Sequence, residues 1–153
     1  MKEIQLTQGK VALVDDEDFE YLNQFKWCIS GNYAGRKNKQ NKSILMHREV
    51  LSPPSGMFID HINRDKLDNR RSNLRIVTTS QNVVNSPPRK NNTSGYRGVS
   101  KKGNMWIAQI EKGNKKIFQE SYKTPEQAAK AYDRKIKEVF GEFAYLNFPE
   151  ATE

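Results

Sequence analysis

Apolar and polar positions come in short blocks along the first half of the chain. Ile4 and Leu6 alternate with polar neighbours, Val11–Val14 is an apolar run, and Gln8-Gly9-Lys10 between them reads as a hairpin turn. Asp15-Asp16-Glu17-Asp18 precedes Phe19, Tyr21, Leu22 and Phe25, and acidic residues ahead of helically spaced apolar ones predict a short helix over about residues 16–23. Lys26–Ser30 reads as a strand, and the polar, basic stretch from Gly31 to Lys42 as a flexible hairpin with Tyr33 inside it. Apolar residues at 44, 45, 46, 50 and 51 predict a strand running into a short helix, broken by Ser52-Pro53-Pro54-Ser55-Gly56. Met57-Phe58-Ile59, a loop dense in Asp, Asn and Arg, and Leu74–Val77 follow; Thr79-Ser80 is a helix-capping pair. The order there is strand, polar loop, strand, short helix.

Pro87 ends that helix, because it has no N–H to donate. Residues 87–94 read as a linker, stiff at the prolines and flexible after them. From Gly95 the punctuation is clearer. Strands are predicted at Tyr96–Ser100, around Trp106–Ile110 and at Ile117–Tyr122, with Gly103 and Gly113-Asn114 in the turns. A helix follows with Thr124 as N-cap, Pro125 at its first position and Gln127 in the capping-box position. Ala128, Tyr132, Ile136 and Val139-Phe140 form its apolar stripe, and Gly141 stops it. The fold class is α+β, ending in three antiparallel strands packed on one helix.

The 153 residues are 35% hydrophobic and 29% charged, which favours two small cores over one large one. The division expected is 1–86, a linker at 87–94, and 95–153. The formal net charge is +8, and residues 36–90 carry twelve basic and four acidic side chains. That concentration points to a polyanion and away from a small-molecule substrate. Arg36, Lys37, Lys39 and Lys42 in the hairpin, Arg70, Arg71 and Arg75 around the polar loop, and Arg89 and Lys90 in the linker are candidate DNA contacts. The acidic segment before residue 36 reads as scaffold. The single cysteine, Cys28, lies in an apolar run and is expected to be buried; it excludes an internal disulfide and a Cys-based zinc site. No basic amphipathic helix, apolar run of membrane length or signal peptide is present, so an intracellular protein with no membrane partner is expected. No dimer seam stands out, and a monomer is expected.

The chemistry converges on Met57–Asn85. Asp60 and His61 are adjacent; Asn73 follows Asp60 by thirteen positions and Asn82 by twenty-two. Asp and Asn are hard oxygen ligands that suit Mg²⁺ or Mn²⁺. A neutral imidazole can take a proton from water at pH 7. Metal and base together serve phosphodiester hydrolysis. His47, the other histidine, reads as a packed group.

Asp60-His61, Asn73-Leu74-Arg75-Ile76-Val77-Thr78 and the helical Asn82 resemble the HNH endonucleases, in particular the phage and intron-encoded homing subgroup with a ββα-metal site. The resemblance implies His61 as general base, Asp60 and Asn82 as ligands of one divalent cation, and Asn73 as the residue orienting the His61 loop. The third letter of the motif is Asn here, a variant of that subgroup.

Tyr96-Arg97-Gly98-Val99, Trp106-Ile107-Ala108, Glu126-Gln127-Ala128-Ala129-Lys130-Ala131-Tyr132-Asp133 and Leu146-Asn147-Phe148-Pro149 resemble the APETALA-two/ethylene-response-factor DNA-binding domain. That resemblance implies a sheet lying in the major groove, with Arg97 as a DNA contact. Ser100, Gln109, Glu111 and Phe118 depart from the plant pattern, so the plant target sequence does not carry over. Lys101, Lys102 and Lys116 are phosphate-contact candidates by position and charge. The combined expectation is a metal-dependent, homing-type DNA endonuclease that nicks duplex DNA in the cytoplasm of a bacterial host. The alternative is a DNA-binding regulator with an inactive nuclease fold.

Overall fold

The computed structural model describes residues 1–149, which pack as two compact units, one from Met1 to Thr78 and one from Thr79 onward. The last four residues of the expected 95–153 module lie outside the described residues. The α+β class holds: small antiparallel sheets alternate with short helices, and each unit has its own core.

In the first unit, β1 (Lys2–Gln5) and β2 (Val11–Val14) form the expected hairpin, and α1 spans Asp16–Leu22 with Asp16, Glu17 and Asp18 in its first turn. β3 (Cys28–Ser30), β4 (Tyr33–Lys37) and β5 (Ser43–Leu45) form a second sheet, followed directly by α2 (Met46–Val50). Five of the twelve residues expected as a loose basic hairpin therefore form a strand, and the central one of its sheet. Ala34 and Gly35 make this possible. Both are buried, and a Cβ at Gly35 would crowd Ser30 across the ladder. Cys28 is half-buried rather than fully buried, since β3 is an edge strand; its thiol donates to the Gly35 carbonyl at 3.3 Å. β6 (Phe58–His61) and β7 (Leu74–Val77) pair antiparallel, with a 3₁₀ turn at Arg71–Asn73 between them. The core gathers Ile4, Val14, Leu22, Trp27 and Met46, with Trp27 wholly buried and its indole N–H donating to the Leu22 carbonyl at 2.8 Å.

The second unit opens with α3 (Thr79–Val84), which begins within the pair expected to cap it. Packing assigns this helix to the unit that follows it rather than to the 1–86 division. Val84 lies in the second core, the Tyr145 N–H donates to the Val84 carbonyl at 3.3 Å, and Arg97 Nη2 donates to the Val83 carbonyl at 2.7 Å. The later half of the 87–94 segment is tied down rather than flexible. Asn92 Oδ1 accepts from the Ser94 N–H (2.9 Å) and the Gly95 N–H (3.0 Å), and the Ser94 hydroxyl donates to the Val99 carbonyl at 2.8 Å. β8 (Val99–Lys102), β9 (Met105–Lys112) and β10 (Lys115–Tyr122) form one antiparallel sheet in the order β10-β9-β8. β8 starts later than predicted because Gly98 takes φ +71 just before it. A side chain at Gly98 would also collide with the Tyr132 ring. α4 (Pro125–Phe140) lays Ala128, Ala129, Tyr132 and Ile136 on the sheet, with Thr124 as N-cap and Gly141 at its end. Among the described residues, no helix is long and apolar enough to cross a membrane.

Candidate active site

His61 ends β6, and the antiparallel register sets Asp60 opposite Arg75. Cross-strand neighbours of opposite charge attract, and here they meet: Arg75 Nε and Nη2 reach Asp60 Oδ2 at 2.9 and 2.8 Å. The chain then turns through a loop whose polar side chains bond mainly to one another and to backbone. Asn73 Oδ1 accepts from the Asn63 N–H at 2.9 Å, and its amide donates to the Asp68 carbonyl at 2.8 Å. Asp68 accepts from Asn63 (2.9 Å) and from Arg70 Nε (2.8 Å) and Nη2 (2.6 Å). The Arg70 guanidinium holds the Asp68 carboxyl below the usual carboxylate range. The loop is fastened to β2 from both sides, by Leu13 N–H to the Leu67 carbonyl and Asn69 N–H to the Leu13 carbonyl, each 2.8 Å.

This frame positions the base. Asn69 is wholly buried, and its amide donates to the Leu67 carbonyl at 3.1 Å. That bond turns Asn69 Oδ1 toward His61, whose Nε2 lies 3.4 Å away. Burial lowers the pKa of His61, with the Asn69 contact opposing, so the imidazole is neutral at pH 7. His47 stands edge-on to His61 with ring centres 5.3 Å apart, and Tyr33 lies 5.0 Å from His47 and 5.9 Å from His61. Burial pushes His47 down to about 4, and its Nδ1 is buried without a hydrogen-bond partner. A buried polar atom left in this way weighs against stability by ~1–3 kcal/mol.

The structure thus places Asp60 and His61 at the end of β6 and Asn73 in the turn before β7, and carries Asn82, half-buried, on α3. Asn69 was not singled out from sequence. Its signal was Asp68-Asn69-Arg70 within the loop, legible only by asking what would orient a histidine base. His47 is the packed group expected. Among the described residues, no three His, Cys, Asp or Glu side chains gather as a metal cage. Asp60 and a carboxamide are still the donors that Mg²⁺ accepts, since that ion keeps several waters and needs only one or two protein oxygens.

The candidate DNA contacts divide sharply. Arg36 is withdrawn: it pairs with Glu49 at 3.1 Å and stacks on Phe25, 3.8 Å from the ring centre. Arg70 is committed to Asp68, Arg75 to Asp60, and Arg71 to Asp18 (2.7 Å) and Glu17 (2.8 Å). The acidic helix therefore braces the loop, in keeping with its reading as scaffold. Arg97 is turned inward, donating to the carbonyls of Val83 (2.7 Å) and Ser86 (2.5 Å) and to Tyr132 Oη (3.2 Å). Lys101 shares the helix-side face with Trp106, its ammonium 5.7 Å from that ring. Lys37, Lys39, Lys42, Arg89, Lys90, Lys102 and Lys116 are exposed.

A family of HNH endonucleases matches residues 52–84, the stretch that includes β6, the loop, β7 and α3. The chain is 31% identical over 146 residues to an uncharacterized HNH endonuclease of Acanthamoeba polyphaga mimivirus, covering 92% of this chain and 76% of that protein. It is 34% identical over 93 residues to protein 3.8 of Escherichia phage T7, covering 60% of this chain and 76% of that protein. An ethylene-responsive transcription factor of Arabidopsis thaliana is 43% identical over 58 residues, 36% of this chain and 32% of that protein. No solved structure gives a significant match.

Proposed function

The chain belongs to the HNH endonuclease family and is a DNA endonuclease; on that premise we propose that it nicks duplex DNA as a homing-type enzyme, with His61 as general base. The observation that carries this reading is the His61–Asn69 contact at the end of β6. With Nε2–H donating to Asn69 Oδ1, the other ring nitrogen keeps the lone pair. That Nδ1 takes a proton from a water whose oxygen bonds to phosphorus. The P–O3′ bond breaks, and the leaving oxygen takes a proton from solvent, giving a 5′-phosphate and a 3′-hydroxyl. Asn73 keeps the loop, and with it His61, in place. Asp60 and Asn82 are the residues that would hold one Mg²⁺ or Mn²⁺, whose charge offsets that on the phosphate and leaving oxygens.

By function, residues 1–86 form the ββα-metal nuclease part, 87–94 the connection and 95–153 the DNA-binding part. The relation to a plant transcription factor supports docking of the second sheet in a major groove. The exposed Lys37, Lys39, Lys42, Arg89, Lys90, Lys102 and Lys116 meet phosphates. The relation to a phage protein supports action in a host cell, and one active site per chain supports a monomer that cuts one strand.

Nicking of a supercoiled plasmid with Mg²⁺ tests this reading. His61→Ala should lower the rate by ~10²–10⁴-fold while DNA binding persists. Asn69→Leu, which removes the acceptor but keeps the bulk, should lower kcat by about tenfold or more with KM unchanged. Wild-type chain that binds the plasmid and leaves it closed would defeat the proposal.

A further inference from the structure

The two faces of the second sheet differ in chemistry. Val99, Ala108, Ile110 and Phe118 lie toward the α4 core. Side chains alternate across a sheet, so Ser100, Ile107 and Ser121 form a cross-strand row on the other face, and Gln109 with Gln119 form the next. Gln109 is half-buried and Gln119 exposed. Each carboxamide has one end fastened by a charged neighbour. Gln109 Nε2 donates to Glu111 Oε1 at 2.6 Å, and Lys116 Nζ donates to Gln119 Oε1 at 3.1 Å. The ends that these bonds leave uncommitted are an acceptor, Oε1, on Gln109 and a donor, Nε2, on Gln119. They stand on directly opposed residues, whose Cβ atoms in such a pair are ~5 Å apart.

In the major groove, adenine offers an amino donor at N6 beside an acceptor at N7, the complement of this pair. Guanine offers two acceptors there and would set O6 against the Oε1 acceptor of Gln109. Guanine is read best by arginine; β8, β9 and β10 contain no arginine, and Arg97 is occupied inside the unit.

We propose that Gln109 and Gln119 act together as an adenine-reading pair, so that the duplex target carries an A·T pair where they enter the groove. This rests on the reading that the sheet docks in a major groove. The test is selection from a randomised duplex pool by the full chain carrying His61→Ala, which keeps bound DNA uncut, followed by competition between single-base variants. One position should enrich adenine, preferred over guanine by ~5- to 100-fold. Gln109→Ala and Gln119→Ala should each abolish that preference with little change in binding to unselected duplex, and Gln119→Arg should move it toward guanine. Enrichment of guanine, or an adenine preference that survives both alanine substitutions, overturns the pairing while the groove reading stands. Selection that enriches no sequence, with binding indifferent to Lys102→Glu as well as to the glutamine changes, overturns the groove reading and the pairing with it.

Discussion

The first unit buries His47, His61, Asp68, Asn69 and Asn73, while the second, among the described residues, buries only Asn85 and Asp133 as polar side chains. Asp133 is fully occupied, accepting from the Asn147 N–H (2.9 Å) and the Phe148 N–H (2.8 Å) to fasten the chain after α4. The buried groups of the first unit line or brace one loop, and His47 Nδ1 is left without a partner. Burying polar groups weakens a fold unless each is satisfied. The first unit thus accepts a weaker interior where a histidine must be held neutral and aimed. The second is organised as a platform, with the α4 core beneath its sheet and the two glutamines on the face above.

Acid should separate the two units most widely. His47 has its folded pKa at about 4, against 6.5 in an unfolded chain. The unfolded chain therefore takes up the proton first as pH falls. The stability tied to neutral His47 is complete above about pH 6.5 and is lost on the way down to about pH 4, ~3 kcal/mol in all. His61 is shifted in the same direction and adds to the loss. In a Trp106→Phe chain, Trp27 fluorescence in urea should report a first unit that weakens steadily across this window. In a Trp27→Phe chain, Trp106 should report little change. His47→Phe should flatten the dependence of the first unit. Equal losses by both probes would erase the distinction.

Gly98→Ala should act next most strongly, and on the other unit. It places a Cβ into the Tyr132 ring at a residue held at φ +71. Overpacking and a left-handed backbone together should remove about 2–4 kcal/mol from the second unit. Its urea midpoint by Trp106 should fall, and nicking of pre-bound plasmid should fall less than binding does. A Gly98→Ala chain as stable as wild type would mean that the Gly98–Tyr132 contact does not fix where β8 begins.

These differences also explain what could be read in advance. The second unit announces itself through local chemistry: Gly113-Asn114 turns a hairpin, Thr124-Pro125 starts α4 and Gly141 ends it, and each of these acts within a few residues. The positions of Asp60, His61 and Asn73 in the fold follow from spacing, because two strands and a loop fix their separation. The role of Asn69 does not, because it depends on which way the Leu67 carbonyl turns the side chain. The partners of Arg36 and Arg97 were hidden for the same reason. Composition counts a charge but does not show its partner, and theirs are Glu49, thirteen residues on, and the carbonyls of Val83 and Ser86. Tyr33–Lys37 looked like a loop because its glycine and basic residues hide a strand whose inward positions are merely small.

The smallest effect gives the sharpest test of whether the two units are energetically separate. Thr124 Oγ1 accepts from the Gln127 N–H at 3.2 Å and satisfies one of the unbonded donors that open α4. Thr124→Ala should remove ~1 kcal/mol, and Thr124→Asp should restore most of it. If each unit unfolds on its own, the loss appears in the Trp106 transition alone and the Trp27 transition keeps its midpoint. If both transitions move together by the same amount, the two cores belong to one cooperative fold. The acid sensitivity of the first would then be carried by the whole chain, and the contrast between them would be one of composition rather than of stability.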